Sequence, residues 1–411
     1  MENGKEFPGA GGSASGDMHC EHPDNTNYAV NAQEQTGNRD RPLVLRLDHR
    51  PFACVLREAL GFKFTPTEMA IIFALSDTGE IHSYSRNASF YERPRRYRNG
   101  LFTRKKVVGA VDRLASMGLV ENWVQSEGVR GRQSTVAATP ELVDLFGNVI
   151  GSDKPALLFP KETVILKDEN KILADYKETA QTRAMRRGLL RYNDALNSID
   201  VCGAKVSPVV RIFNKTFDRT GRFYCHGDSW QNVKSDKRAL ITIDGEPTTE
   251  LDFVSIHPAI LYGERGLTPP SDSYEIEGYP RKAVKRATLI LLNALTERQA
   301  IMSIVDTMDP AIASPRSAQA HSAARDMVNK IKRKHAPISD AFGSDAGARL
   351  MSIDAKIMAR IIDTMLAHGV VPLCVHDSII VPSSYSQLGQ EVMLKAANDI
   401  VGFDIAVSAK S

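Results

Sequence analysis

The first regular pattern of apolar and polar positions begins at Phe64. In "TPTEMAIIFAL", Thr65 stands as an N-cap, Pro66 at the first helical position and Glu68 three residues past the cap, which predicts a helix opened by a capping box. From Thr103, "TRKKVVGAVDRLASMG" sets Val107, Val108, Val111 and Leu114 on one face and ends near Gly118, predicting a second helix. "LVENWVQSEGVRGRQSTVAAT" then alternates as two strands around a tip holding Gly128, Arg130, Gly131 and Arg132. Farther on, "TAQTRAMRRGLLRYNDAL" reads as a basic helix. "ELDFVSIHPAILY" reads as a strand closed by a carboxylate, with Pro258 opening a helix. "RKAVKRATLILLNA" reads as another helix, and "VVPLCVHDSIIVP" as two apolar strands about a His-Asp turn.

These patterns divide the 411 residues into four stretches. Residues 1–40 are rich in Gly, Asn, Asp, Gln and Ser and poor in large apolar side chains, so they predict a disordered tail. Residues 41–150 hold the first helices and the hairpin, 151–205 form a helical connector, and 206–411 are mixed α/β. With 42% hydrophobic and 25% charged residues, the chain has material for more than one core.

Cys20, Cys54, Cys202, Cys225 and Cys374 are scattered, odd in number and never spaced CxxC, which argues against a disulfide framework or a zinc ribbon. The "HCEH" of the tail offers metal ligands but has no second half. No basic leader or membrane-length apolar run is present, and a soluble, cytoplasmic protein is expected.

Charge changes the picture through its distribution. The net value is only +3, yet residues 81–132 hold eleven Arg or Lys against four Asp or Glu, a footprint suited to phosphates. Helix, basic helix and basic-tipped hairpin together resemble the winged helix-turn-helix family. That resemblance implies duplex DNA as partner, met by Arg104, Lys105 and Lys106 on the second helix and by Arg130 and Arg132 on the wing. A protein-docking role for the same module is the alternative.

The chemistry lies in the last stretch. Asp252 would close a buried strand with nothing beside it to neutralise it, so it should be exposed, paired or on a metal. Asp377, 125 residues on, sits at the turn of the second apolar pair. Carboxylates at the tips of adjacent strands can hold two divalent ions, Mg²⁺ or Mn²⁺, which activate a 3′-hydroxyl and stabilise a leaving pyrophosphate. Between them, Arg281 and Lys285 share one helix face and suit a triphosphate. Upstream, "FDRTGRFYCHGDSWQNVKSDKR" supplies Arg222, Gln231, Asn232 and Arg238.

In this order, residues 211–411 resemble the palm and fingers of family A DNA polymerases and of the related single-subunit RNA polymerases. "DRTGR" resembles the motif that precedes the palm, and "WQN" the segment that follows it. "LDFVSIHP" resembles motif A, "RKAVKR" the fingers helix and "VHDS" motif C. The resemblance implies an α+β, right-hand-like catalytic domain with reduced fingers. Asp252, Asp377 and the Phe253 carbonyl would be metal ligands, with Arg281, Lys285 and His376 in the catalytic set. Arg222, Gln231, Asn232, Arg238, His257 and Asn293 would contact primer-template or nucleotide.

Several positions depart from the family. Leu289 and Asn293-Ala294 replace an aromatic or Met and Tyr-Gly. His257 stands where the DNA enzymes have glutamate and the RNA enzymes glycine, and Ser378 follows motif C as in the RNA enzymes. A sugar gate at His257 is expected, with DNA synthesis ahead of RNA synthesis and a role in replication or repair. "DFVSIHP" also resembles motif A of family B polymerases, whose later DTD motif is lacking here. A primase-like enzyme, a non-catalytic replication initiator and a template-independent tailing enzyme are the other readings.

Overall fold

The computed structural model describes residues 41–410, apart from 46, 78, 126–132, 152–154, 157, 159 and 161. The tail expected over 1–40 and the hairpin tip with Arg130 and Arg132 lie outside the described residues. What is described is mixed α/β, with three sheets.

Residues 41–150 contain β1 (Arg41–Pro42), α1 (Ala53–Leu60), α2 (Pro66–Ser76), β2 (His82–Tyr84), α3 (Arg104–Ser116), β3 (Val120–Trp123), β4 (Ser134–Ala138) and α4 (Pro140–Ile150). The strands form one sheet in the order β1-β2-β4-β3. The expected capping box is present. Thr65 N–H donates to Glu68 Oε2 at 2.6 Å, and Glu68 N–H donates to the Thr65 hydroxyl at 3.3 Å. Helix α2 is buried from Thr67 to Ser76, its middle from Met69 to Leu75 being apolar on every side and the buried Thr67 and Glu68 having polar partners in Leu101 O and Arg113. Its Phe73 meets the rings of Phe52 and Phe146 at 5.9 and 4.9 Å. Helix α3 is two-faced instead, burying Val107, Ala110, Val111 and Leu114 while Arg104, Lys105 and Lys106 stay exposed.

Residues 151–205 contain the expected helix, α5 (Ala180–Leu196), and two strands besides, β5 (Val164–Lys167) and β6 (Val201–Cys202). Both strands pair beyond residue 206, so this stretch is built into the sheets that follow. β5 runs parallel to β7 (Val209–Asn214), which is antiparallel to β8 (Thr220–Cys225). An ionic network joins the segment around Arg96 to the approach to α5. Arg96 reaches Glu162 and Glu178 at 3.2 Å and Asp175 at 2.9 Å, while Arg186 reaches Glu162 at 3.0 Å and Glu178 at 3.1 Å. The Arg96 guanidinium also lies 3.9 Å from the centre of the Tyr176 ring.

The remaining elements are α6 (Ser235–Arg238), β9 (Thr242–Ile243), β10 (Glu246–Phe253), α7 (Ile256–Gly263), α8 (Arg281–Asn293), α9 (Glu297–Asp306), α10 (Ala318–Lys334), α11 (Ala346–Ala367), β11 (Leu373–Val375), β12 (Ser378–Pro382), α12 (Ser386–Val401) and β13 (Val407–Ala409). Strand β10 organises them. It is antiparallel to β12 from Thr248↔Pro382 to Asp252↔Ser378, and to β13 from Leu251↔Ala409 to Phe253↔Val407. The sheet reads β11-β12-β10-β9-β6, with β13 joined to β10. Helix α11 packs against β8, α5, α7, α8 and α12. Among the described residues no helix is long and apolar enough to cross a membrane.

Candidate active site

Side chains alternate along a strand, so Glu250 and Asp252 emerge on the same face of β10. Glu250 is fully engaged. It accepts from Arg238 at 3.0 and 3.1 Å, from the Ser378 hydroxyl at 3.0 Å and from Lys410 at 2.6 Å. Burial alone would raise its pKa, but the Arg238 and Lys410 hydrogen bonds hold it below the usual value. Asp252 is not so provided. Lys410 lies 3.0 Å from Oδ2, while Oδ1 is buried with no hydrogen-bond partner. Burial and the neighbouring Asp377 charge push its pKa up, against smaller opposing effects of Lys410 and Lys285.

Asp377 is brought there by register. Ser378 is the cross-strand partner of Asp252, and His376-Asp377 form the two-residue turn between β11 and β12. His376 occupies the left-handed region at φ +58°, a conformation that a non-glycine residue adopts at a cost. Its ring meets Tyr224 edge-on at 5.6 Å, and burial followed by the Arg222 charge pushes its pKa down. The register therefore brings Asp377, next to the cross-strand partner of Asp252, close enough for the two charges to act on each other.

From α8, Arg281 and Lys285 both lie over the ring of Tyr274, at 5.4 and 5.8 Å, and Arg281 pairs with Asp272 at 2.6 Å. Tyr274 is buried, and burial pushes its pKa up, with the Asp377 charge adding to the effect and Arg281 opposing it. Asn293, at the other end of α8, donates to Leu289 O at 2.7 Å. A Cβ on Gly347 of α11 would run into the Asn293 amide, so Asn293 serves the close approach of two helices.

Arg222 reaches the site through an irregular strand. Thr220 and Gly221 have φ of +61° and +88°, a register shift opposes them at Ile212/Phe213, and a Cβ on Gly221 would collide with the Phe213 ring. The glycine of the "TGR" segment is thus sterically required, and the bulge aims Arg222 at α11. There Arg222 Nε lies 3.1 Å from both oxygens of Asp354, and its Nη2 pairs with Asp354 as well. His257 Nε2 is 2.9 Å from Asp354 Oδ2 and 3.3 Å from Arg222 Nη2. Asp354 is completely buried, so the expected sugar gate is a histidine clamped between a carboxylate and a guanidinium.

Other expected contacts are taken up internally. Gln231 donates to the carbonyls of Phe223 and Cys374 at 3.2 and 2.9 Å and accepts from Cys225 N–H at 3.0 Å, bracing β8 against β11. The neighbouring Trp230 adds a bond to Cys374 O at 2.8 Å. Asn232 accepts from Ser229 at 3.3 Å, Arg238 is spent on Glu250, and the Phe253 ring is in the core. In the first part of the chain, Arg104 donates to Arg86 O and Lys106 to Gly100 O, each at 2.6 Å, which fixes two exposed cations at the start of α3.

Sequence patterns alone did not single out Glu250, Asp354, Tyr274 or Lys410. Asp354 carried a readable signal, because it interrupts the stripe Leu350, Met358 and Ile361 on α11. Glu250 carried one too, being two residues from Asp252 on a strand. Nothing local marks Tyr274 or Lys410.

Among the described residues no group of three or more His, Cys, Asp or Glu is placed to hold a metal ion. The unpaired Oδ1 of Asp252 beside Asp377 does suit a hard divalent cation that draws the rest of its shell from water, carbonyl and phosphate oxygens. No family model matches the chain, and no curated protein proves similar to it. Among solved structures it is similar to the POL domain of Pol1 from M. smegmatis, in complex with DNA primer-template and dNTP. The identity is 13% and the TM-score 0.30, over 65% of this chain and 59% of that one. This chain therefore spans less than two thirds of that structure's length. So loose an overlap carries no weight, and the functional assignment has to rest on the residues themselves.

Proposed function

We propose that the chain is a metal-dependent, template-directed nucleotidyltransferase of the family A DNA polymerase kind, with a winged helix over residues 41–150 that holds duplex DNA. The observation that carries this reading is the juxtaposition of Asp252 and Asp377. Two segments far apart in sequence deliver like charges to one spot, and an oxygen of Asp252 is left buried and unpaired. An arrangement that costs stability calls for a ligand that repays it.

Asp252, Asp377 and the carbonyl of Phe253 would hold Mg²⁺ or Mn²⁺, and two bound ions would supply activation of a 3′-hydroxyl and neutralisation of the leaving pyrophosphate. The chain's own groups then have separable tasks. Lys285, already acting on Asp252, takes the triphosphate, and Arg281 exchanges Asp272 for phosphate oxygens. Asp354 and Arg222 lock the His257 ring at the start of α7, where a rigid group can crowd the sugar. His376 and Tyr224 line the turn next to Asp377. The basic start of α3 meets DNA phosphates, and the activity belongs to replication or repair.

The test is primer extension by the full chain with Mg²⁺ or Mn²⁺, run with dNTPs and with NTPs, with and without template and primer. Metal-dependent incorporation that requires a template supports the reading. No incorporation under any of these conditions, with DNA binding intact, would leave a non-catalytic DNA-binding protein.

A further inference from the structure

Lys410 follows β13, and two bonds to one residue fix where its ammonium sits. Its backbone N–H donates to Glu250 O at 2.8 Å, and its Nζ donates to Glu250 Oε1 at 2.6 Å. Glu250 is itself held by Arg238 and Ser378, so the half-exposed ammonium is tethered to a carboxylate that is fixed in place. From that anchor Lys410 lies 3.0 Å from Asp252 Oδ2, on the carboxylate whose other oxygen is open. A positive charge is thus already installed where a divalent cation would bind, and it repels a second cation approaching Oδ1.

We propose that Lys410 keeps the Asp252–Asp377 pair from taking up a divalent cation by itself, so that the cation enters together with the triphosphate of the incoming nucleotide. The inference rests on the nucleotidyltransferase reading and adds an order of binding to it. Triphosphate oxygens contribute the negative charge that offsets Lys410, and Lys285 and Arg281 face them from α8. Lys410 is accordingly a positioning residue. It touches a ligand-bearing carboxylate and sets when that carboxylate becomes available.

The experiment is Mn²⁺ binding to the full chain, followed by the electron paramagnetic resonance of free Mn²⁺ at fixed pH and ionic strength, with and without dNTP. Without nucleotide, Lys410→Met is expected to bind Mn²⁺ at least about tenfold more tightly than the parent, equivalent to ~1.4 kcal/mol. Lys410→Arg should match the parent, because a guanidinium restores the charge between the same two carboxylates. Adding Asp252→Ala to Lys410→Met should erase the gain, and thermal melting of each variant in EDTA verifies that it is folded. Affinity in Lys410→Met equal to or weaker than the parent's overturns the role of Lys410, even if the parent takes up Mn²⁺ with dNTP as expected. If Asp252→Ala changes Mn²⁺ uptake in no background, with or without dNTP, the nucleotidyltransferase reading falls as well.

Discussion

The cluster around Glu162 and the cluster around Asp252 both draw carboxylates out of water, and they handle the charge in opposite ways. Glu162 has Arg96 and Arg186 within 3.2 Å and accepts the Val164 N–H at 2.9 Å, and its neighbour Glu178 is pulled down to about 2 by Thr182 and then Arg186. Asp252 has one lysine and one unpaired oxygen, and burial followed by a like-charged neighbour pushes its pKa the other way. The first cluster ties two parts of the chain together. The second stores an unmet demand, and that difference separates a carboxylate that serves architecture from one available for chemistry.

The contrast is broken most sharply at Asp252 and Asp377. Alanine at either position should lower metal-dependent incorporation by at least about 10³-fold in primer extension, and the double variant should be little worse. Neither change should lower the melting temperature. A variant that extends primers at the parental rate removes the basis for the contrast. Glu162→Ala should show the reverse profile, losing about 2 kcal/mol in urea denaturation because two partly buried guanidinium groups lose their most buried partner and keep only the more exposed Glu178 and Asp175, while incorporation per folded molecule stays at the parental level. A parental urea midpoint for that variant would show that its ion network is ornamental.

A smaller effect is expected at the exposed start of α3. Replacing Arg104, Lys105 and Lys106 with Ala should weaken duplex DNA binding and flatten the dependence of log K on log salt by about 2 to 3, one counterion for each lost phosphate contact. An unchanged slope in a fluorescence titration would assign this face to a protein partner.

The smallest effect is on pH-dependent stability, where two carboxylates of β10 should differ in sign. Asp252, with a raised pKa, contributes stability that is present below its ordinary value of 3.8 and lost as pH rises through the folded value. Glu250, with a lowered pKa, contributes stability that is present above 4.5 and lost as pH falls through its folded value. In EDTA at pH 7, Asp252→Asn should melt higher than the parent and Glu250→Gln lower, both differences shrinking toward pH 3. Shifts of the same sign would place the two residues in one electrostatic class.

Much of this arrangement is local and therefore legible in the sequence. The Thr65–Glu68 capping box, the two-faced α3, the strand carrying Asp252 next to its end at Phe253 and the turn at Asp377 each follow from residues within a few positions of one another. What stayed hidden depends on partners supplied from a distance. His257 looks like a free sugar contact until Asp354 arrives from 97 residues away, and Gln231 looks like a substrate contact until the Cys374 carbonyl arrives from 143 residues away. β5 is hidden for the same reason, since a parallel pairing with β7 leaves no turn signature between the strands.

The register that sets Asp252 opposite Ser378 also has a consequence in time. β10 and β12 are separated by an excursion carrying α7 through α11, and pairings across so long a stretch of chain close late, after the helices between them have formed. A half-folded chain consequently holds its two aspartates apart, and on the proposed function it would not engage nucleotide, while the repulsion between them enters only at the final closing step. Refolding with divalent cation and dNTP present should therefore accelerate that last phase and leave the earlier ones untouched, making the ligand a participant in the order of assembly.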